Sequence, residues 1–358
     1  MRKLLTLIVP ILCTFALSAR SPRTGYDLAV RYNFDNMEFD RGGNEFLHSM
    51  TLNAVNLFVT GGFDFQESNL PGRVSHSVRT GVSAMHDMGG RPLNAEWIAY
   101  YSFNYRFDRD KSLTGAFGVY PVDFLDTDEY SRAFVSDSVR FYDRAYEGMM
   151  FKLRTPRARA ELWLDWMGRH GQTVRERFRV GGSGRYWITP YLQAGAAVTM
   201  YHFAGSVTTP GVVDNVLSSP YLRLDFSKQL GLRQLSLKVA FLAGYQRDRK
   251  FGTGTVMPMG GELTLRTQWR CLGVENVFYA GDDQMPFYDD VAYGKTYAAS
   301  LYYGSPFYRA STYDRLELYF EPRISERLDF RISAVFHFAT SDIPYQGTQQ
   351  MLSLLYRL

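Results

Sequence analysis

Glu262-Leu263-Thr264-Leu265-Arg266-Thr267-Gln268-Trp269 is the stretch on which the fold turns. Glu262, Thr264, Arg266 and Gln268 fall on one face of an extended chain, and Leu263, Leu265 and Trp269 on the other. A repeat of two residues is the period of a β-strand, and it places an apolar medium on one side and a polar one on the other. The same alternation runs through Leu328, Phe330, Ile332, Ala334, Phe336 and Phe338 against Asp329, Arg331, Ser333 and His337. It recurs where Ala95, Trp97, Ala99, Tyr101, Phe103, Tyr105 and Phe107 oppose Glu96, Tyr100, Ser102, Asn104 and Arg106. Ala158, Ala160, Leu162, Leu164 and Trp166 likewise oppose Arg157, Arg159, Glu161 and Asp165.

Soluble sandwiches also alternate, but their strands are usually about five or six residues long. Here the alternation persists over the segments 49–65, 93–107, 186–204, 232–248 and 326–339. A tilted strand needs only about 9–11 residues to cross a bilayer. The chain has 358 residues, with 25 Tyr, 26 Phe and 5 Trp. Aromatics gather at strand ends, as interfacial girdles require. Outside the N-terminus no apolar run approaches the ~20 residues of a spanning helix. With 40 basic and 36 acidic residues spread along the chain, nothing points to nucleic acid. Residues 1–19 read as a secretory signal: Arg2-Lys3, an apolar run from Leu4 to Leu17, then Ser18 and Ala19. Its removal would take Cys13 and leave Cys271 alone, so no intrachain disulfide could support the mature fold.

Link lengths supply a topology. Short links are expected at 66–72, 108–111, 155–157, 181–185, 229–231, 270–272 and 322–326, the fourth being Gly181-Gly182-Ser183-Gly184-Arg185. Other links at 35–48, 87–93, 124–144, 168–172, 205–214, 249–258, 281–310 and 340–348 interleave with them. Strict interleaving predicts an all-β protein: a transmembrane antiparallel barrel, of 16 strands by this count and 14 or 18 if the segment Tyr297–Tyr303 or another link is counted differently. The mature chain, 20–358, reads as one outer-membrane barrel, with outer-membrane lipid, lipopolysaccharide and small hydrophilic solutes as partners. Its oligomeric state is left open.

Tyr146-Glu147-Gly148-Met149-Met150-Phe151-Lys152-Leu153, then Arg175-Glu176-Arg177-Phe178, and later Pro306-Phe307-Tyr308-Arg309-Ala310, resemble uncharacterised, porin-like outer-membrane β-barrels of Bacteroidetes-type Gram-negative bacteria. The resemblance implies the fold and the compartment and carries no activity.

Candidate functional residues lie along the expected lumen and in the long links. Lys152, Arg154, Arg157, Arg159, Arg175, Arg177 and Arg179 fall on polar-facing positions or beside links on three successive expected strands. They read either as a basic wall that concentrates anions or as bracing partners for Glu161 and Asp165. The 124–144 link, with Asp126, Asp128, Glu129, Asp137 and Asp143, is long enough to fold into the lumen. In 281–310, Asp282, Asp283, Tyr288, Asp289, Asp290, Tyr293, Phe307 and Tyr308 mix carboxylates with aromatics, a composition suited to stacking on sugar rings or, though without an EF-hand-like spacing, to a hard cation such as Ca²⁺, and they form the expected contact surface for a glycan or partner. No metal spacing, phosphate loop or catalytic motif surrounds the six His, so no cofactor and no enzyme are expected. The expected function is a porin-like channel for small hydrophilic solutes, anions among them. The alternatives are a binding or structural component using the 281–310 loop, or a hydrolase active in the lumen.

Overall fold

The structure, a computed structural model, describes residues 22–39, 42–67, 72–90, 93–209, 211–249, 254–292, 295–340 and 344–358. The expected signal segment and Tyr293 lie outside the described residues. Sixteen antiparallel strands close a barrel, and a two-stranded ribbon sits in one link. The first half of the barrel comprises β1 (Arg23–Phe39), β2 (Met50–Gln66), β3 (Val74–Asp87), β4 (Asn94–Asp108), β5 (Lys111–Pro121), β6 (Ala145–Arg154), β7 (Ala158–Gly168) and β8 (Arg177–Trp187). The second half begins with β9 (Leu192–Phe203), β10 (Val213–Asp225), β11 (Gln234–Asp248), β12 (Met259–Trp269) and β13 (Leu272–Gly281). After the ribbon β14 (Val291–Ala292) and β15 (Lys295–Thr296), it ends with β16 (Thr312–Phe320), β17 (Leu328–Ala339) and β18 (Tyr345–Arg357). Each barrel strand pairs with its neighbours in sequence, β13 with β16 across the ribbon, and β1 closes onto β18.

The alternation sets the register. Leu263 and Leu265 are each 39% exposed on the outside, while Thr264 between them is 8% exposed and faces the lumen. Trp97, Leu162 and Ile332 also point outward, whereas Glu161, Asp165 and Glu262 are buried inside. The strands run from 9 to 17 residues, so even the shortest meets the length a tilted bilayer crossing demands.

One expected turn is not a turn. Gly181-Gly182-Ser183-Gly184-Arg185 lies within β8, and the chain reverses instead between Trp187 and Leu192, where Ile188 and Thr189 donate backbone hydrogen bonds to the Leu192 carbonyl. The glycines serve a neighbour: a Cβ at Gly181 would stand 2.1 Å from the Trp163 ring. The indole therefore occupies the space that a side chain on β8 would fill. The segment Tyr297–Tyr303 does not cross the membrane. It forms the helical turn Ala298–Leu301 in the link after β13, with Tyr297, Leu301 and Tyr302 buried.

Two links fill the lumen. The link 122–144 carries two 3-10 turns and the short helix Asp137–Tyr142, whose N-terminus is capped by Ser136 accepting from the Val139 amide. It packs against inward residues of the wall, including Ile98, Tyr120, Tyr146, Met150 and Trp163, and against Phe307, Tyr308 and Tyr313.

Candidate functional site

Carboxylates and hydroxyls of the 122–144 link dock on wall residues of opposite character. Asp126 pairs with Lys152 at 2.8 Å, Asp143 with Arg179 at 2.6 Å, and Glu129 with Arg185 at 2.5 Å. The Tyr130 hydroxyl donates to Glu161 at 3.0 Å and accepts from the Trp163 ring N–H at 2.8 Å. Ser131 donates to Glu262 at 2.5 Å. Farther along, Arg132 pairs with Asp137 at 3.0 Å and with Glu275 at 2.7 Å, while Arg315 of β16 reaches Asp137 at 3.4 Å and Glu317 at 2.8 Å. Burial opposes ionisation of Asp137, but Arg132 and Arg315 outweigh it and hold the carboxyl well below its ordinary value. At Asp143 burial wins over Arg179, and the carboxyl is pushed up to about 6.

Above this layer, at the long-link end of the barrel, lies a cavity of about 980 Å³. Met37, Met50, Leu52, Met85 and Leu93 form its apolar side, and Arg132, Asp137, Arg315, His337 and Gln349 its polar side. The polar side contains a chain of hydrogen bonds. Gln349 Nε2 donates to both carboxylate oxygens of Asp35 at 2.8 Å. Its amide oxygen, 3.2 Å from His337 Nε2, must accept from that nitrogen. His337 Nδ1 is then the bare nitrogen of a neutral imidazole, and it accepts from the Tyr313 hydroxyl at 3.0 Å. The ring is held flat against Phe307, with centroids 4.7 Å apart and planes 8° from parallel, and Phe307 stacks equally on Tyr313. Tyr313 donates to His337 Nδ1, His337 Nε2 to the Gln349 amide oxygen, and Gln349 Nε2 to Asp35, so the histidine is held in one tautomer. No group of three or more His, Cys, Asp or Glu among the described residues could hold a metal ion.

The seven basic residues singled out in the sequence divide between the two ends of the barrel. Lys152 is buried with Asp126 and Glu161, and Arg179 is shared by Asp143 and Asp165 while lying 4.3 Å from the Tyr303 ring. Arg154, Arg157 and Arg159 are exposed around the short 155–157 turn, where Arg159 lies over Trp187. Arg175 and Arg177 stand at the opposite end, Arg175 over the Phe203 ring at 4.6 Å. The division follows from strand direction: β6 descends to that turn, and β7 climbs away from it to β8.

In the 282–311 link, Asp282 and Asp283 are exposed but accept from the Met259 and Met285 amides. Arg309 pairs with Asp289 and covers the Tyr288 ring at 4.5 Å, and the Asp290 carbonyl accepts from the Tyr297 amide. Phe307 and Tyr308, expected on a contact surface, are fully buried instead, because Phe307 packs on His337 and the Tyr308 hydroxyl bonds Glu262. His337 was legible as an inward polar residue of an alternating strand. Asp35, Tyr313, Arg315 and Gln349 carry no motif, and the only signal at Asp35 and Arg315 is a charge at inward parity among apolar neighbours.

The fold is thus a closed 16-stranded antiparallel barrel of transmembrane type, with two of its links folded into the lumen. Residues 34–354 match the family described as Lipid A 3'-O-deacylase-type, and the chain belongs to that family. This corrects the expectation that no enzyme is present, since the family is one of enzymes and covers nearly the whole chain. A comparison with curated proteins finds no match. Among solved structures, a mutant Rhodopseudomonas blastica porin is similar, with 11% identity and a TM-score of 0.47, over 94% of this chain and 100% of the porin. Pseudomonas aeruginosa OccD3 (OpdP) is similar at 10% identity and a TM-score of 0.48, over 95% of this chain and 93% of its own.

Proposed function

We propose that the protein is an acyl-ester hydrolase of the outer membrane that removes a fatty acyl chain from a lipid A-type glycolipid at the long-link end of the barrel. The observation that carries this reading is the Asp35–Gln349–His337–Tyr313 chain facing a cavity with an apolar side. A neutral histidine with one fixed bare nitrogen is ready to accept a proton, and the apolar side suits an acyl chain. In the proposed reaction water attacks the ester carbonyl and gives its proton to the Tyr313 hydroxyl, which passes its own to His337 Nδ1. The C–O bond then breaks, the sugar oxygen receives the proton, and a fatty acid leaves.

Release of fatty acid from lipid A vesicles, followed by mass spectrometry, tests the proposal. His337→Asn should lower the rate by about 10²–10⁴, the usual worth of a general base, and Tyr313→Phe should lower it less. No release by the wild type, or equal release by His337→Asn, rejects the assignment.

A second reading, passage of small hydrophilic solutes, is supported by the width of a 16-stranded barrel and by a second lumen cavity of about 350 Å³ on the short-turn side. Arg132, Asp137 and Arg315 line both cavities, so their ion-paired layer stands between the two.

A further inference from the structure

The short-turn side of the lumen holds a recess lined by more cations than carboxylates. It lies next to the 350 Å³ cavity, shares Asp128, Arg132, Arg140, Gln234 and Arg266 with it, and has a volume of about 70 Å³. Five cations line the recess, Arg132, Arg140, Arg223, Lys238 and Arg266, against three carboxylates, Asp128, Asp225 and Glu262. The carboxylates are fewer than the cations and none makes a close ion pair with Arg140, Arg223 or Lys238. Glu262 accepts from Ser131 and from Tyr308, each at 2.5 Å, and Asp225 accepts from Ser227. Asp128 stands 3.9 Å from Arg140 with its side chain 79% exposed.

Three of the cations are consequently short of partners. Lys238, 7% exposed, is 3.9 Å from Glu262, its only ion-pair partner among the described residues, and rests on the Tyr221 ring. Arg223 is 3.6 Å from Glu129, whose oxygens are already taken by Arg185 and the Tyr221 hydroxyl. Arg140 donates to the Tyr130 carbonyl, but its Nε is buried with no acceptor among the described residues. Lys238 is buried and Arg140 and Arg223 are half-buried; cations in this condition are costly, and a counterion from solution removes much of that cost.

We propose that this recess binds a small, multiply charged oxyanion of the phosphate class, entering from the short-turn side and held by Arg140, Arg223 and Lys238. A phosphate presents several oxygens to donors arriving from different directions, and charge-assisted bonds to guanidinium and ammonium groups are the strong ones. The site lies on the far side of the Arg132–Asp137–Arg315 layer from the hydrolytic cavity and does not depend on the hydrolase reading.

The test is titration of the folded, detergent-solubilised barrel with inorganic phosphate at constant ionic strength, read by calorimetry, with potassium chloride as the blank. One phosphate per barrel is expected, with affinity falling as salt is raised. Lys238→Met and Arg223→Gln should each weaken it tenfold or more, while Arg357→Gln, at an exposed pair with Asp329, should leave it unchanged. Heat-modifiable gel mobility verifies that each variant is folded. If a strand variant does not fold, Arg140→Gln in the loop carries the same expectation. No saturable binding by the wild type, or binding equal in the variants, overturns the proposal.

Discussion

At the scale of single residues, inward and outward positions obey different physics. Leu263 lies mid-strand on the lipid side, and replacing it by Arg should cost about 2–4 kcal/mol, against about 0–1 for Leu272→Arg at the strand end. Denaturant unfolding in lipid vesicles measures both, and equal costs would mean that Leu263 does not face hydrocarbon. Gly181 poses the opposite problem, because space there already belongs to Trp163. Gly181→Ala should destabilise by about 1–3 kcal/mol through overpacking, and Trp163→Leu in the same chain should recover part of that loss. An unfolding midpoint unchanged by Gly181→Ala would show that the indole can move aside. This contact also explains why a run that reads as a turn in sequence is strand in three dimensions: the cause lies on β7, and nothing in β8 itself announces it.

At the scale of elements, the 122–144 link is held by acids whose titrations run in opposite senses. Asp137 has its pKa depressed by Arg132 and Arg315, so its contribution to docking is present above about pH 4 and lost as pH falls below it. Asp143, pushed up to about 6 by burial, contributes fully below about pH 4 and loses that contribution as pH rises through 6. Docking should therefore be firmest in the mildly acidic range and loosen on either side. Protection of the 137–143 amides, taken relative to their unfolded exchange rates across pH 3 to 8, would display a maximum, and a monotonic trend in protection would contradict the opposed shifts. The length of this link, and its capacity to enter the lumen, were legible from the sequence. Its seating was not, since Asp126, Glu129 and Asp143 find their partners on β6 and β8 only once the barrel is closed.

At the scale of the whole molecule, strand number, direction and facing followed from period two and from the interleaving of links, because a bilayer forces both onto a sequence. The candidate site did not follow, as Asp35, Tyr313, His337 and Gln349 come from four strands and meet only across β16, β17, β18 and β1. The plugged lumen has an electrical consequence. Purified wild-type protein should conduct weakly in planar bilayers, and removing residues 127–143 should raise unitary conductance severalfold or more, since the loop and its ion-paired layer stand between the two cavities. High conductance in the intact chain would favour the solute-passage reading over the hydrolase. The β1–β18 seam has a further consequence, for the order in which the protein can come into being. Ala29 meets Arg357 and Phe39 meets Gly347, so the pairing that closes the cylinder joins segments more than three hundred positions apart in the chain. Such a contact is among the slowest to form. Until it does, β1 and β18 each present a long ribbon of unpaired amides and carbonyls. Closure is therefore the commitment step of assembly, and a chain interrupted anywhere before β18 would leave an open sheet with adhesive margins, a substrate for proteases and aggregation and not a smaller barrel.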